Sequence, residues 1–408
     1  MANHSSNPFY SLTELATSFK KKSLKPSVIT EFYINKIAED DTKIGAFQTV
    51  FMETARLSAE SADAAILSGN RLGPFHGIPF VLKDICELEG SVTTGGSKAF
   101  KERVSKVTAT IANRLLAAGG VLLGKSKTVE FAFGGWGTNQ EMGTPWNPWD
   151  KNNHRVCGGS SAGSAAALAG NLAVCAIGTD TGGSVRLPAA FCGLTGLKVT
   201  KNILSTKGII PLSHTLDTPG PMARSVMDLV VMFEVLKGTD GWKIDKKIST
   251  ETGIFRNLKQ GVGGLHLGSI DDKSRNQCSS EVLRNYDALL LSLERKGALI
   301  EPFIPPIDYW GLSEDVSHII AVEAFYHHGY LYQDKTNLMD DDVRRRVMKA
   351  KDFSANQYLK ILNDRKRLKK TFLRSMLRFD ALLTPTITNV APLLSDVDQE
   401  KSPGYFTR

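Results

Sequence analysis

The sequence predicts an α/β protein, because apolar runs of strand length alternate with helical segments along its first half. An apolar strand at residues 78–82 is followed by a helix at 109–118 and a second strand at 120–124. A helix of small residues at 165–173 then leads into a short buried strand at 174–177. This alternation is typical of a sheet packed against helices.

The composition is that of an ordinary globular protein. The chain has 408 residues, of which 42% are hydrophobic and 23% are charged, so it can bury a large core. No apolar run reaches the length of a membrane span, and the first residues lack the regions of a signal peptide. Five scattered cysteines without a CxxC pair predict reduced thiols. We therefore predict a cytoplasmic protein without membrane contact.

The net charge of +8, from 50 Lys and Arg against 42 Asp and Glu, is mild and largely local. Residues 364–378 predict a basic amphipathic helix with Leu368, Phe372, Leu373 and Met376 on its apolar side. Such a helix binds nucleic acid or a membrane, or presents a solvated face. We expect the solvated face and no nucleic-acid partner.

The first 72 residues predict N-terminal helices that carry no chemistry. Ser11 and Glu14 have the spacing of a capping box that opens a first helix. A second amphipathic helix follows Pro26, and a third, rich in alanine, spans residues 53–68.

Lys83 directly follows the strand at 78–82, within the segment GPFHGIPFVLKD at 73–84. A lysine in this position usually extends to the surface. If it is buried, its pKa falls, and the neutral amine can act as a base. The position alone leaves both alternatives open.

Two loops of glycine and serine flank the helix at 165–173. Residues 158–164 read GGSSAGS, and residues 178–184 read GTDTGGS. Successive glycines let backbone N–H groups converge on an anion, and a serine ending the loop can reach the same atom. The pair predicts a nucleophile beside an oxyanion hole, with ordinary tight turns as the simpler alternative. Cys157 adjoins the first loop, where its apolar neighbour Val156 favours a packing role.

Residues 131–150 predict a long irregular loop of the kind that often contributes to function. Its Trp136, Trp146 and Trp149 either line a pocket or pack the loop down, and the sequence favours neither.

The second half of the chain is predicted to be more helical. Residues 263–270 form a further strand, and 271–378 form a variable helical lid or flank. Residues 379–408, which include DALLTPT, return to the sheet. With the catalytic α/β core at 73–270, we expect a single domain over the whole chain.

Together these segments resemble the amidase signature family of amide hydrolases. The resemblance is strongest from residue 73 to 229. Three motifs carry it, namely HGIPFVLKD at 76–84, GGSSAGSAAALA at 158–169 and GTDTGGSVRLPAAFCGLTGLK at 178–198. Two further segments support it, DTPGPMARSV at 217–226 and DALLTPT at 380–386. It implies a large mixed β-sheet with helices on both faces and a helical lid or flank.

The resemblance also implies a Ser-cisSer-Lys triad. Ser184 would be the nucleophile, Lys83 the base, and Ser160, at a cis peptide bond, the bridge between them. The backbone N–H groups of the nucleophile loop would form the oxyanion hole, namely those of Thr181, Gly182, Gly183 and Ser184.

Further residues match the family's supporting positions. Asp180 and Arg186 would form an acid–base pair that holds the nucleophile loop. Ser161 and Ser164 would supply supporting hydrogen bonds.

The implied reaction is hydrolysis of a carboxylic amide to the acid and ammonia or an amine, through an acyl-Ser184 intermediate. It needs no metal and no cofactor. The partner would be a small-molecule amide, and a homodimer is left open. We expect substrate choice to depend on residues 131–150 and 271–378. Because no arginine or lysine marks an acid-binding pocket, a neutral amide is preferred.

Other functions remain as alternatives. The segment 159–163 matches GxSxG, which would make Ser161 the nucleophile of an α/β-hydrolase with His214, His266 or His318 as partner. GGSSAGS also resembles phosphate loops of small-molecule kinases, although no GxxxxGK[ST] accompanies it. The family resemblance extends to the amidase subunit of tRNA-dependent amidotransferases, which generates ammonia for a partner subunit. In that case the basic helix at residues 364–378 would face a partner subunit or tRNA. A catalytically inactive scaffold is a further alternative.

The chain departs from the family pattern in two respects. Cys157 and Ala162 stand where the family more often has Pro and Gly. The chain also ends where relatives continue with glycine-rich strands and a final helix, which predicts an open sheet edge and an incomplete pocket.

Overall fold

Six strands form the central sheet of the structure, a computed structural model that describes residues 9–401 and 403–404. In chain order they are β1 (Phe47–Val50), β2 (Pro79–Lys83), β3 (Val121–Ser126), β4 (Cys175–Asp180), β5 (Thr195–Gly196) and β6 (Thr218–Ala223). Their spatial order is β1-β3-β2-β4-β6-β5. Strand β2 is parallel to β3 and β4, whereas β1, β5 and β6 are antiparallel to their neighbours. The predicted mixed sheet is confirmed.

The central strands are buried along their whole length. Every residue of β2, β3, β4 and β6 is buried. Strands covered on both sides are typically continuous apolar runs, and β2 and β4 have this character. A lysine that ends such a strand has no solvent to reach, so the sheet itself decides the environment of Lys83.

Helices surround this sheet. Those that precede the second sheet are α1 (Leu12–Lys20), α2 (Pro26–Ile44), α3 (Met52–Leu67), α4 (Thr110–Ala117), α5 (Ala162–Ala169), α6 (Arg186–Phe191), α7 (Val226–Lys237), α8 (Gly241–Ser249) and α9 (Ile254–Asn257). The capping box of α1 is present, because Glu14 N–H donates to Ser11 Oγ at 3.1 Å and Ser11 N–H donates to Glu14 Oε2 at 2.9 Å. The three predicted N-terminal helices are confirmed.

A second, smaller sheet corrects the prediction for the C-terminal part. It consists of β7 (His266–Ser269), β8 (Leu299–Pro302) and β9 (Ala381–Leu382), all parallel in the order β8-β7-β9. Thus β9 does not return to the central sheet, and β8 interrupts a region predicted to be helical. Strand β8 is short and its Leu299 is exposed, so it lacks the apolar pattern that identifies a strand. The end of the predicted 379–408 segment lies outside the described residues.

The remaining helices are α10 (Asp272–Arg275), α11 (Ser280–Arg295), α12 (Leu312–Gln333), α13 (Asp341–Met348) and α14 (Ala355–Ser375). A separate apolar cluster joins α12 and α13 to the loops at the end of the central strands. In it, Phe131 stacks on His328 with ring centroids 4.1 Å apart. This packing holds part of the variable region against the segments that carry the site. Across the residues that the structure describes, each helix is too short or too polar to span a lipid bilayer.

Candidate active site

Lys83 ends β2 in a fully buried position, with 0% of its surface exposed. Its Nζ donates to Ser160 Oγ at 2.7 Å and to Thr179 Oγ1 at 2.9 Å. The lysine therefore points into the protein, and the usual surface alternative does not apply here. Thr179 is a contact that sequence reasoning did not single out, although it lies within GTDTGGS.

Burial controls the protonation of Lys83. The loss of solvation lowers the pKa of its amine to about 7, although Cys86, Asp217 and Asp180 favour the charged form. A pKa near 7 leaves a large neutral fraction at physiological pH. The amine can therefore accept a proton, which is what a general base requires.

The loop that carries Ser160 is held by backbone contacts. The Gly159–Ser160 peptide bond is cis. Ser160 O accepts hydrogen bonds from Thr128 Oγ1 at 3.0 Å and from Val129 N–H at 3.2 Å. A Cβ added to Gly159 would lie 2.6 Å from Gly134 O, so the close approach of these two loops requires glycine.

Ser161 and Ser164 connect the start of α5 to the sheet. Ser161 Oγ donates to Thr179 O at 3.3 Å and accepts from Thr179 N–H at 3.3 Å. Ser164 Oγ contacts Ser126 Oγ at 2.7 Å and donates to Ile177 O at 3.2 Å. Helix α5 begins at Ala162 and ends before Gly170, earlier than the predicted 165–173, because the first loop leads directly into it.

Ser184 lies four residues after β4 and is 8% exposed. Its carbonyl oxygen accepts from Ser161 N–H at 3.3 Å, so the two glycine-serine loops meet here. The residues of both predicted loops and Lys83 are thus brought to one place by β2, β4 and α5.

The carboxylate of Asp180 holds the nucleophile loop through hydrogen bonds. Its carboxylate accepts hydrogen bonds from Gly183 N–H at 2.8 Å and Val185 N–H at 3.2 Å, and from the Arg186 side chain at 2.8 and 2.9 Å. Burial by itself raises the pKa of Asp180, but Arg186 and these N–H groups outweigh it and hold the pKa below the usual value. The Asp180–Arg186 pair therefore stays charged and keeps the loop in shape.

The four predicted oxyanion donors differ in their hydrogen bonds. The N–H of Gly183 is engaged by Asp180, because a buried carboxylate takes the nearest donors. The N–H groups of Thr181 and Ser184 have no hydrogen-bond partner within the described part of the chain. The oxyanion hole stays a prediction, and the Gly183 N–H already has Asp180 as its partner.

A small cavity of about 60 Å³ lies at the nucleophile loop and is lined by Thr181, Gly182 and Ser184. Arg346 and Lys401 also line it, which removes the basis for predicting a neutral substrate. Arg346 donates to Phe133 O at 2.8 Å and to Gln399 Oε1 at 2.9 Å. These cations were missed because both are far from the family motifs in sequence.

The three tryptophans of the long loop have different roles. Trp136 lines the cavity. Trp146 stacks on His154 with ring centroids 4.5 Å apart, and Trp149 is largely exposed but donates to Cys192 O at 2.8 Å. One tryptophan thus faces the site and the others pack the loop.

The rival nucleophiles lack the contacts that they need. Both hydrogen bonds of Ser161 Oγ go to the backbone of Thr179, and no histidine contacts this hydroxyl in the region that the structure covers. Burial raises the pKa of the Cys157 thiol well above its usual value, so it stays protonated. Among residues 9–401 and 403–404, no group of three His, Cys, Asp or Glu could hold a metal ion.

We predict that Arg186→Met lowers the free energy of unfolding by about 2–3 kcal/mol, because it leaves the buried Asp180 carboxylate without its cation. Amide hydrolysis should also fall, since Gly183 and the loop lose their anchor. Urea denaturation measures the first effect. Lys273→Met is the matched control, because its partner Asp308 and Lys273 itself are both 63% exposed, and it should cost less than about 0.5 kcal/mol. Equal losses in the two variants would contradict the prediction.

Comparison with known proteins identifies the family. The family model described as Amidase matches residues 28–407. The chain belongs to the amidase family. It is 31% identical to a Glutamyl-tRNA(Gln) amidotransferase subunit from Alkaliphilus metalliredigens, over 92% of this chain and 81% of that protein. It is 32% identical to the corresponding protein of Methylobacillus flagellatus, over 94% of this chain and 82% of the relative.

Solved amidase structures share the fold. The native peptide amidase from Stenotrophomonas maltophilia superimposes with a TM-score of 0.80 and 26% identity, over 97% of this chain and 87% of that one. Membership of the amidase family and the likeness to amide-hydrolysing enzymes make this protein a hydrolase of amide C–N bonds.

Proposed function

We propose that this amidase hydrolyses a small carboxylic amide through an acyl intermediate on Ser184, with Ser160 passing protons between Ser184 and Lys83. One observation carries the proposal: a fully buried lysine with a lowered pKa lies 2.7 Å from Ser160 Oγ, at the point where the two glycine-serine loops meet. A buried amine with a lowered pKa next to a hydroxyl is well suited to proton transfer.

In the first step, neutral Lys83 takes the proton of the Ser160 hydroxyl, and Ser160 takes the proton of Ser184. Ser184 Oγ then forms a bond to the carbonyl carbon of the amide, and the carbonyl π electrons move to its oxygen. We propose that the N–H groups of Thr181, Gly182 and Ser184 receive this oxyanion. Gly183 has a positioning role through Asp180 instead.

In the second step, the oxyanion collapses and the C–N bond breaks. The proton held by Lys83 returns through Ser160 to the departing nitrogen, which leaves as ammonia or an amine. A water molecule then attacks the acyl-Ser184 ester, giving up a proton along the same path. Release of the carboxylic acid restores the Ser184 hydroxyl.

The proposal is tested by ammonia release from a panel of aliphatic and aromatic amides that includes glutamine. We expect at least one small amide to be hydrolysed by the wild-type chain without any added metal or cofactor. The matched control is Cys157→Ala, which removes the rival thiol and should retain activity. Ser184→Ala should release no ammonia. Loss of activity in Cys157→Ala at unchanged stability, together with retained activity in Ser184→Ala, would contradict the role of Ser184.

A second candidate is supported by the relatives. The chain is 31–32% identical to subunits of Glu-tRNA(Gln) amidotransferases. We propose as the alternative that the same site supplies ammonia from glutamine to a partner subunit. Glutaminase activity that appears only when such partner subunits are added would support it, and equal activity of the isolated chain would count against it.

We also propose a cytoplasmic location for the enzyme. All five cysteines are free, although Cys157 and Cys192 lie close enough for the Cys192 thiol to contact Cys157 O at 3.5 Å. Buried free thiols are typical of proteins in reducing compartments.

A further inference from the structure

A second and larger cavity, of about 350 Å³, adjoins the nucleophile loop. Thr181 lines both this cavity and the small one at Ser184, so both spaces lie beside the nucleophile loop. The other walls come from the segment after β5 and from α12 and α14. We call this space the basic chamber.

The basic chamber is lined by more cations than acids. Lys198 and Lys201 line one part, and Arg365 and Lys369 line another, against Asp315 as the one carboxylate among the described lining residues. Within the ranges 9–401 and 403–404, none of these four cations forms an ion pair. Four cations around one space repel one another unless an anion lies between them.

The two lysines after β5 are held inward by backbone oxygens. Lys198 Nζ donates to Val199 O at 3.0 Å, and Lys201 Nζ donates to Asp217 O at 2.8 Å. Burial lowers the pKa of Lys198, and the neighbouring Arg186, Lys201 and Arg365 add to the effect while Asp180 opposes it. Burial also lowers the pKa of Lys201, whereas Asp217 and Glu323 favour its charged form. Among the described residues, none of these carboxylates is close enough to either lysine for an ion pair, so an anion in the chamber would restore the charged forms.

The rest of the chamber wall is mainly apolar. Leu216 and Val316 line it, together with Ile319, Leu368 and Phe372. Such a wall binds hydrocarbon, whereas the cations bind a negative charge. A ligand that uses both surfaces has an apolar segment and an anionic group.

We propose that the basic chamber binds an anionic group, a carboxylate or a phosphate, that the substrate amide carries beyond an apolar spacer. The proposal rests on the proposed function, because the amide carbonyl must lie at Ser184 while the rest of the substrate passes Thr181. Clefts lined by charge of one sign concentrate ligands of the opposite sign.

The first experiment compares monoamides of glutaric, adipic and suberic acid with the neutral alkyl amides of the same chain length, and adds the corresponding phosphonates. At the best length we expect kcat/KM to be about tenfold higher for the anionic amide, mainly through a lower KM. The advantage should shrink at high salt, because ions screen the cations. The carboxylate and phosphonate arms show which anion the chamber takes.

The second experiment uses variants of α14, whose cations are exposed and leave the core intact. Arg365→Gln combined with Lys369→Gln should lower the ratio of anionic to neutral kcat/KM by about fivefold to tenfold. Lys366→Gln combined with Lys370→Gln is the matched control, with the same charge change on the same helix but outside the chamber lining. The control variant should keep the ratio of anionic to neutral kcat/KM within about twofold of the wild-type ratio.

Equal hydrolysis of anionic and neutral amides, with the ratio unchanged in both variants, would overturn the chamber proposal and leave the proposed function intact. If the wild type hydrolyses no amide, binding of suberate to Ser184→Ala is measured by calorimetry. Binding that weakens in the Arg365/Lys369 variant supports the chamber, and absence of binding overturns it.

Discussion

Replacement of Lys83 by methionine is expected to lower kcat for amide hydrolysis by about 10⁴-fold and to raise the free energy of unfolding at pH 7. The activity is lost because no other base contacts Ser160 Oγ in the structure's described residues. The stability rises because methionine fills a similar volume without the cost of burying an amine. Function and stability should therefore change in opposite directions at this position.

The pH dependence of the free energy of unfolding follows from the direction in which the pKa of Lys83 is shifted. The pKa of Lys83 is about 7 in the folded protein and near 10.5 in the unfolded chain. Between these values the unfolded state binds the additional proton, so wild-type stability rises with pH in this window. The advantage of Lys83→Met is therefore largest below pH 7, at about 2–4 kcal/mol, and disappears above about pH 10.5.

Urea unfolding at several pH values measures this difference. Lys125→Met is the matched control, since Lys125 is equally buried on the adjacent strand but lies 3.6 Å from Asp84 Oδ1. Removing that cation leaves a buried carboxylate unpaired, so the control should lose about 3 kcal/mol. A Lys83→Met protein less stable than the wild type at pH 7 would refute the stability prediction.

The same pKa predicts how the rate depends on pH. Because the base must be neutral, kcat/KM of the wild type should fall tenfold per pH unit below about 7 and level off above it. A profile that stays flat down to about pH 5 would show that Lys83 does not supply the base.

Replacement of Ser184 by alanine is expected to lower kcat by about 10⁵-fold and to abolish the acyl intermediate. The reason is that the hydroxyl forms the covalent bond, so no relay can replace it. Mass spectrometry of the protein with a slowly hydrolysed ester should detect an acyl group on Ser184 in the wild type and none in the variant.

Ser161→Ala is the informative comparison for this experiment. It removes the serine that the GxSxG pattern offers as nucleophile, and with it two hydrogen bonds to Thr179. We expect a loss of stability of about 1–2 kcal/mol, with acylation of Ser184 still detectable. An acyl group that vanishes with Ser161 but persists in Ser184→Ala would reverse the assignment.

Local sequence patterns predicted most of the elements. The capping box at Ser11, the alternation of β2, α4 and β3, and the glycine-serine loops on both sides of α5 need only neighbouring residues to specify them. The predicted helix boundaries were less accurate. The second sheet was not predicted, because β8 and β9 are short and pair with distant segments.

The sequence by itself determined β2, β3, β4 and β7, the glycine-serine loops and the residue types that hydrolysis requires, because short-range spacing specifies these. Only the tertiary structure decided that Lys83 is buried, that Asp180 engages the Gly183 N–H, and that cations from distant segments line the cavities. Burial and charge at a site depend on contacts between residues that are far apart in the chain. Lys83 and Ser160, for example, are 77 positions apart, and no local sequence pattern contains such a contact.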